Sequence, residues 1–103
     1  MKTPKQYTPI INYISTYSDE VRQKFLFNYF YMNYNCDVNS FKQKLGKQDY
    51  TWTSEFRFWV WEFEKYQVLV SNHKGICLEL APNLNENEVM QIWDEFRKKL
   101  DLL

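Results

Sequence analysis

The stretch Phe56-Arg57-Phe58-Trp59-Val60-Trp61-Glu62-Phe63 decides how this chain is read. Aromatic and β-branched side chains suit a pleated surface, so the run is a β-strand. Side chains alternate across a strand, which puts Phe56, Phe58, Val60 and Glu62 on one face and Arg57, Trp59, Trp61 and Phe63 on the other. A strand with water on one side alternates apolar with polar. This one is aromatic on both sides. Either the fold covers both faces, or one face awaits a partner.

Downstream the two-residue period continues. Strands are expected at about 55–63, 66–72 and 75–80. Asn72-His73-Lys74-Gly75 is a hairpin signal, because glycine takes positive φ at no steric cost. Glu64-Lys65 is a weaker turn, having neither Gly nor Asn. Val68 and Val70 share one face, as do Ile76, Leu78 and Leu80. The three runs make an antiparallel meander, and Pro82 ends it.

The helix that follows carries the clearest signals. Asn85 and Glu88 are spaced as a capping box, and Leu84 and Val89 as a hydrophobic staple. Val89, Ile92, Trp93, Phe96, Leu100 and Leu103 form one stripe. Glu86 and Glu88 open the helix and Arg97, Lys98 and Lys99 close it, as the helix dipole favours. Such a stripe packs on one face of a sheet.

Upstream the period is helical. Thr8 reads as a cap with Pro9 at the first helical position, followed by Ile10, Ile11, Ile14 and Tyr17. Ser18 caps a second helix, which runs to about Tyr34. Its stripe of Val21, Phe25, Tyr29 and Met32 is widened by Leu26, Phe27, Phe30, Tyr31 and Tyr34, well beyond an amphipathic face. Such a helix is central, or it lends surface to an interface. Asp37 caps a short third helix with Val38, Phe41 and Leu45, and Gly46 serves as its left-handed stop. The order α-α-α-β-β-β-α is that of an α+β fold: N-terminal helices, a three-stranded antiparallel meander and a C-terminal amphipathic helix packed on the sheet. The N-terminal helices are expected on the other face of the sheet or at its end. At least one sheet edge stays open.

The 103 residues predict one domain, 1–103. Apolar residues make up 45% and charged residues 25%, which excludes disorder of the whole chain. Aromatics reach 19%, with eight Phe, eight Tyr and four Trp, more rings than a core of this size needs. Formal net charge is zero. Residues 1–50 carry seven basic against four acidic side chains, and residues 51–103 six against nine. That balance is too mild to attract a polyanion by itself. No apolar run approaches the ~20 residues of a membrane span, and the start lacks the apolar core of a signal peptide. Cys36 and Cys77 stand far apart without a CxxC neighbour, as reduced, buried thiols do. The expectation is a cytoplasmic protein that enters no membrane.

Chemistry-bearing patterns are sparse. One His and two isolated Cys give no zinc-ligand spacing. Glu62, Glu64 and Glu79 read as solvated sheet charges. His73 and Cys77 face each other across a turn but lack a third group, and His73 reads as an exposed tip. No phosphate-binding glycine loop is present, and only Gly46 and Gly75 are available to build one. No catalytic, cofactor-binding or metal-ligating residue is assigned, and the expectation is a protein that is not an enzyme.

Two binding readings remain. In the first, the chain is a small regulatory module that binds another protein, or its own copy, through Trp52, Arg57, Trp59 and Trp61 of the first strand with Tyr31 and Tyr34 of the second helix. Aromatic side chains are enriched at interface centres. In the second, three helices and a hairpin follow the order of a winged helix. Lys42, Lys44 and Lys47 then lie on the reading helix, and Arg22 and Lys24 touch phosphates. Zero net charge and the acidic second half favour the first.

Overall fold

The strand Tyr66–Ser71 lies at the centre of the molecule, and all six of its residues are buried. A computed structural model describes residues 2–35 and 37–101. In chain order the elements are β1 (Thr8–Pro9), α1 (Ile10–Ile14), α2 (Asp19–Tyr34), α3 (Val38–Leu45), β2 (Tyr50–Thr53), β3 (Arg57–Phe63), β4 (Tyr66–Ser71), β5 (Gly75–Leu80) and α4 (Glu86–Lys99). The protein is α+β. Its five strands form one antiparallel sheet in the order β1-β5-β4-β3-β2.

The meander of β3, β4 and β5 is present as expected, and two more strands extend it. Tyr50–Thr53 pairs with β3 through Tyr50 opposite Val60 and Thr53 opposite Arg57. The strand expected from residue 55 therefore starts at Arg57, because residues 54–56 turn the chain between β2 and β3. At the other edge, Thr8 pairs with Leu80 and Pro9 with Glu79. The helix expected from Thr8 begins instead at Ile10. Pro9 has extended backbone, φ −54° and ψ 136°, and sits on an edge strand where its missing N–H costs nothing.

Register assigns every strand residue to a face. Trp59, Trp61, Phe63, Tyr66, Val68, Val70, Ile76, Leu78 and Leu80 share one face, and Phe58, Val60, Glu62, Gln67, Leu69, Ser71, Cys77 and Glu79 the other. Buried residues of all four helices join the first face in one core. Ile10, Ile14, Phe25, Met32, Val38, Phe41, Val89, Ile92, Trp93 and Phe96 pack there with Trp61, Val68 and Leu78. The N-terminal helices thus lie beside α4, not across the sheet from it. The opposite face is crossed by the N-terminal segment. Gln67, buried within the sheet, donates to the Lys5 carbonyl at 2.8 Å and accepts from the Lys5 N–H at 3.3 Å. Lys2 pairs with Glu62.

Local chemistry sets the helix bounds. Ser18 accepts from the Val21 N–H at 3.4 Å. Asn85 and Glu88 form the full capping box, at 2.9 and 3.2 Å. Val89 is buried, and Leu84 packs half-buried against the core. Asp37 precedes α3 without a side-chain bond to its backbone. The Val38 N–H is satisfied from the β4–β5 turn, by the Asn72 side chain at 3.1 Å. Gly46 ends α3 with φ 84° and ψ −166°, a positive-φ stop outside the left-handed helical region. Cys36 and Leu103, named above as a buried thiol and a stripe residue, lie outside the described residues.

Candidate binding surface

Helix α2 presents apolar surface in two directions. Its inner face is anchored. Phe25 and Met32 are buried, and the Phe25 ring meets Trp93 edge-on with centroids 4.8 Å apart. The Tyr29 hydroxyl donates to the Ile76 carbonyl at 3.1 Å, and burial pushes its pKa up to about 12. The Asn33 side chain accepts from the Ile76 N–H at 2.9 Å. These contacts fix the helix on β5, so the outer face cannot roll inward.

On that outer face Phe27 is 74% exposed, Phe30 65%, Tyr31 59% and Tyr34 91%. With Asn33 and Asn35 they line a shallow depression. Taking about 200 Å² per aromatic side chain, the four rings present roughly 600 Å² to water. Residues 25–35 contain no charged side chain. The outer face therefore lacks the charge that a solvated helix face carries. Beside it, Tyr31, Met32, Phe41, Lys44 and Leu100 line a groove of about 250 Å³ between α2, α3 and the end of α4.

The six residues expected to form one contact surface occupy three places. Tyr31 and Tyr34 are on the α2 face just described. Trp61 is 2% exposed and belongs to the core, where its indole N–H donates to the Gly46 carbonyl at 3.0 Å. Trp59 is half-buried on the same sheet face, with the Arg57 guanidinium 5.8 Å and the Lys42 ammonium 5.7 Å from its ring centre. Trp52 lies on the opposite face, stacked on Phe58 at 5.9 Å. It lines a cleft of about 330 Å³ with Phe56, Lys74, Ile76 and Cys77.

Phe27 and Phe30 are the residues that sequence reasoning placed on the helix but not in the site. Two signals point to them. One is the charge-free run 25–35, and the other is the spacing Gln23, Phe27, Phe30, Tyr34, which advances by four, three and four residues along one stripe.

Of the basic side chains read as nucleic-acid contacts, Lys44, Arg22 and Lys24 are engaged within the chain. Lys44 donates to the Leu100 carbonyl at 2.7 Å and neighbours Asp101. Arg22 holds Asp19 and the Ser15 carbonyl, and Lys24 lies 3.7 Å from Glu20. Lys47 is exposed, just beyond the end of α3. Among the carboxylates, Glu79 is half-buried and accepts from Gln67 at 2.9 Å. Burial raises its pKa, while the Gln67 bond opposes that rise. Burial and then Glu79 push the Cys77 thiol up, away from the thiolate that a nucleophile needs. Among the described residues no three His, Cys, Asp or Glu side chains converge on a metal-sized site. No helix among them is long and apolar enough to cross a membrane.

The fold and surface describe a small α+β domain that displays one uncharged aromatic helix face. Comparison with known proteins brings no match to a family model, a curated protein or a solved structure.

Proposed function

We propose that this chain is a non-catalytic protein-binding module whose contact surface is the outer face of α2. One observation carries the reading: four rings stand side by side in water on a helix that is rigidly held from behind. Exposed apolar patches of this size on a folded domain mark interaction sites. The partner it fits is a protein surface that is itself apolar and uncharged at its centre, with polar groups at the rim beside Gln23, Lys24 and Asn35. Trp61 is assigned to the core and not to the surface. Trp59, with two cations over its ring, and Trp52, on the far side of the sheet, lie outside the α2 patch.

The test is sedimentation of the tagged full chain in host extract, with thermal melting of the purified chain alongside. The wild type sediments faster than its monomer. Phe27→Ser/Phe30→Ser sediments as a monomer and keeps a cooperative melting transition. A wild type that sediments as a monomer overturns the proposal. So does a double variant that sediments like the wild type.

A further inference from the structure

We infer that the partner of the α2 face is a second copy of this chain, docked as an antiparallel α2–α2 pair about a twofold axis between Phe27 and Phe30. The inference rests on the reading of α2 as the contact surface and names its occupant.

Three observations favour a copy over an unrelated protein. The first is spacing. Gln23, Phe27, Phe30 and Tyr34 form a stripe with the four-three-four steps of a helix-pairing seam. An antiparallel match centred between positions 28 and 29 sets Phe27 against Phe30 of the second copy, and Gln23 against its Tyr34. The Phe27 and Phe30 rings then meet each other across the axis, and the Tyr34 hydroxyl meets the Gln23 side-chain amide. The second is charge. Next to a twofold axis a side chain faces its own copy or a near neighbour, so a charged residue at the centre of the pair repels its copy. Residues 25–35 carry none, and Lys24 falls opposite Asn33. The chain as a whole has zero net charge, so two copies approach without long-range repulsion. The third is area. The four rings expose roughly 600 Å². A stable interface takes about 800 Å² from each partner, and the exposed rim of Gln23, Lys24 and Asn35 adds to the area of the rings.

Direction follows from the helix dipole. A parallel pair sets two like ends side by side, and an antiparallel pair sets each positive end beside a negative one. Helices paired by this spacing cross at about 20° and lie about 8–10 Å apart. The inner faces stay on their own sheets, because Asn33 and Tyr29 hold each α2 to β5.

The experiment places the photo-crosslinker p-benzoylphenylalanine at position 30 of the full chain. Phe30→benzoylphenylalanine keeps an aromatic group there. The chain is irradiated in host cells, and adducts are mapped by mass. The purified wild type and Phe30→Arg are weighed by light scattering over a concentration series. The inference expects an adduct between position 30 and residues 23–34 of a second copy. It also expects a wild-type mass that doubles with concentration, and a Phe30→Arg chain that stays at the monomer mass with its melting transition intact. An adduct to a different protein or to lipid, with a monomeric purified chain, overturns the second-copy inference. Of these, only the different protein leaves the α2 protein-binding reading standing. No adduct of any kind, with a monomeric chain, overturns both. A homodimer whose adducts map elsewhere than 23–34 overturns the antiparallel register.

Discussion

Trp61 and Tyr34 show at single-residue scale what separates a core ring from a surface ring in this protein. Both are aromatic, and both were read from the sequence as contact residues. Trp61 is enclosed and spends its indole N–H on the Gly46 carbonyl. Tyr34 stands 91% exposed. Trp61→Ala is expected to cost about 3–5 kcal/mol in urea unfolding, the range for emptying a large aromatic site. Tyr34→Ala is expected to change stability by less than about 0.5 kcal/mol when both chains are unfolded at concentrations low enough to keep them monomeric, as surface substitutions do. Equal costs would contradict the placement of the two rings. Gly75 makes the same point for the backbone. Its φ is 83°, and a Cβ there would stand 2.7 Å from the Asn33 Oδ1 that holds the Ile76 N–H. Gly75→Ala is expected to cost about 1–3 kcal/mol, through strain and a disturbed α2–β5 bond. The same unfolding experiment reads it.

At the scale of elements, legibility tracked how local each signal was. The capping box of α4 lies within four consecutive residues, and the structure places both of its bonds. Asn85→Ala is expected to lower stability by about 1 kcal/mol, measured by denaturant titration. Ser18 and Gly46 were equally readable, because each acts on its own neighbours. β1 and β2 were not. A two-residue strand has no period, and Thr8-Pro9 also satisfies the chemistry of a helix start. Tyr50–Thr53 does alternate, but Ser54-Glu55-Phe56 contains none of the Gly, Asn or Pro residues that mark a hairpin. The cap of α3 comes from Asn72, 34 positions away, and no local pattern announces it. The binding face was half legible for a related reason. The over-wide stripe on α2 shows that some rings stay outside, but only tertiary packing decides which. Placing all four helices on one sheet face buried Trp61 and left Phe27 and Phe30 in water.

At the scale of the whole molecule, the one-sided arrangement of helices decides how stability responds to pH. The helix-free sheet face is roofed by the N-terminal segment, and under it lie Gln67 and Glu79. Burial raises the Glu79 pKa above its ordinary value of 4.5. A raised carboxyl pKa means that the folded chain binds a proton the unfolded chain has already released. Stability therefore falls as pH climbs from 4.5 through the folded value, and at neutral pH the charged carboxylate is a burden. On the other side, Glu88 accepts from the Asn85 N–H and from Lys65, and its pKa is lowered. Its contribution has the opposite sign: present above 4.5 and lost as pH falls through the folded value. The two residues are separable by substitution. Glu79→Gln keeps an acceptor for the Gln67 amide and removes the charge. It is expected to melt higher than the wild type at pH 7, with the difference vanishing by pH 3.5, where the wild-type side chain is protonated in both states. Glu88→Gln is expected to melt lower at pH 7, again converging at acid pH. Melting midpoints of the three chains across pH 3.5–7 test both signs at once. A Glu79→Gln chain that melts lower at pH 7 would mean that the carboxylate is held by the segment above it more strongly than burial opposes it.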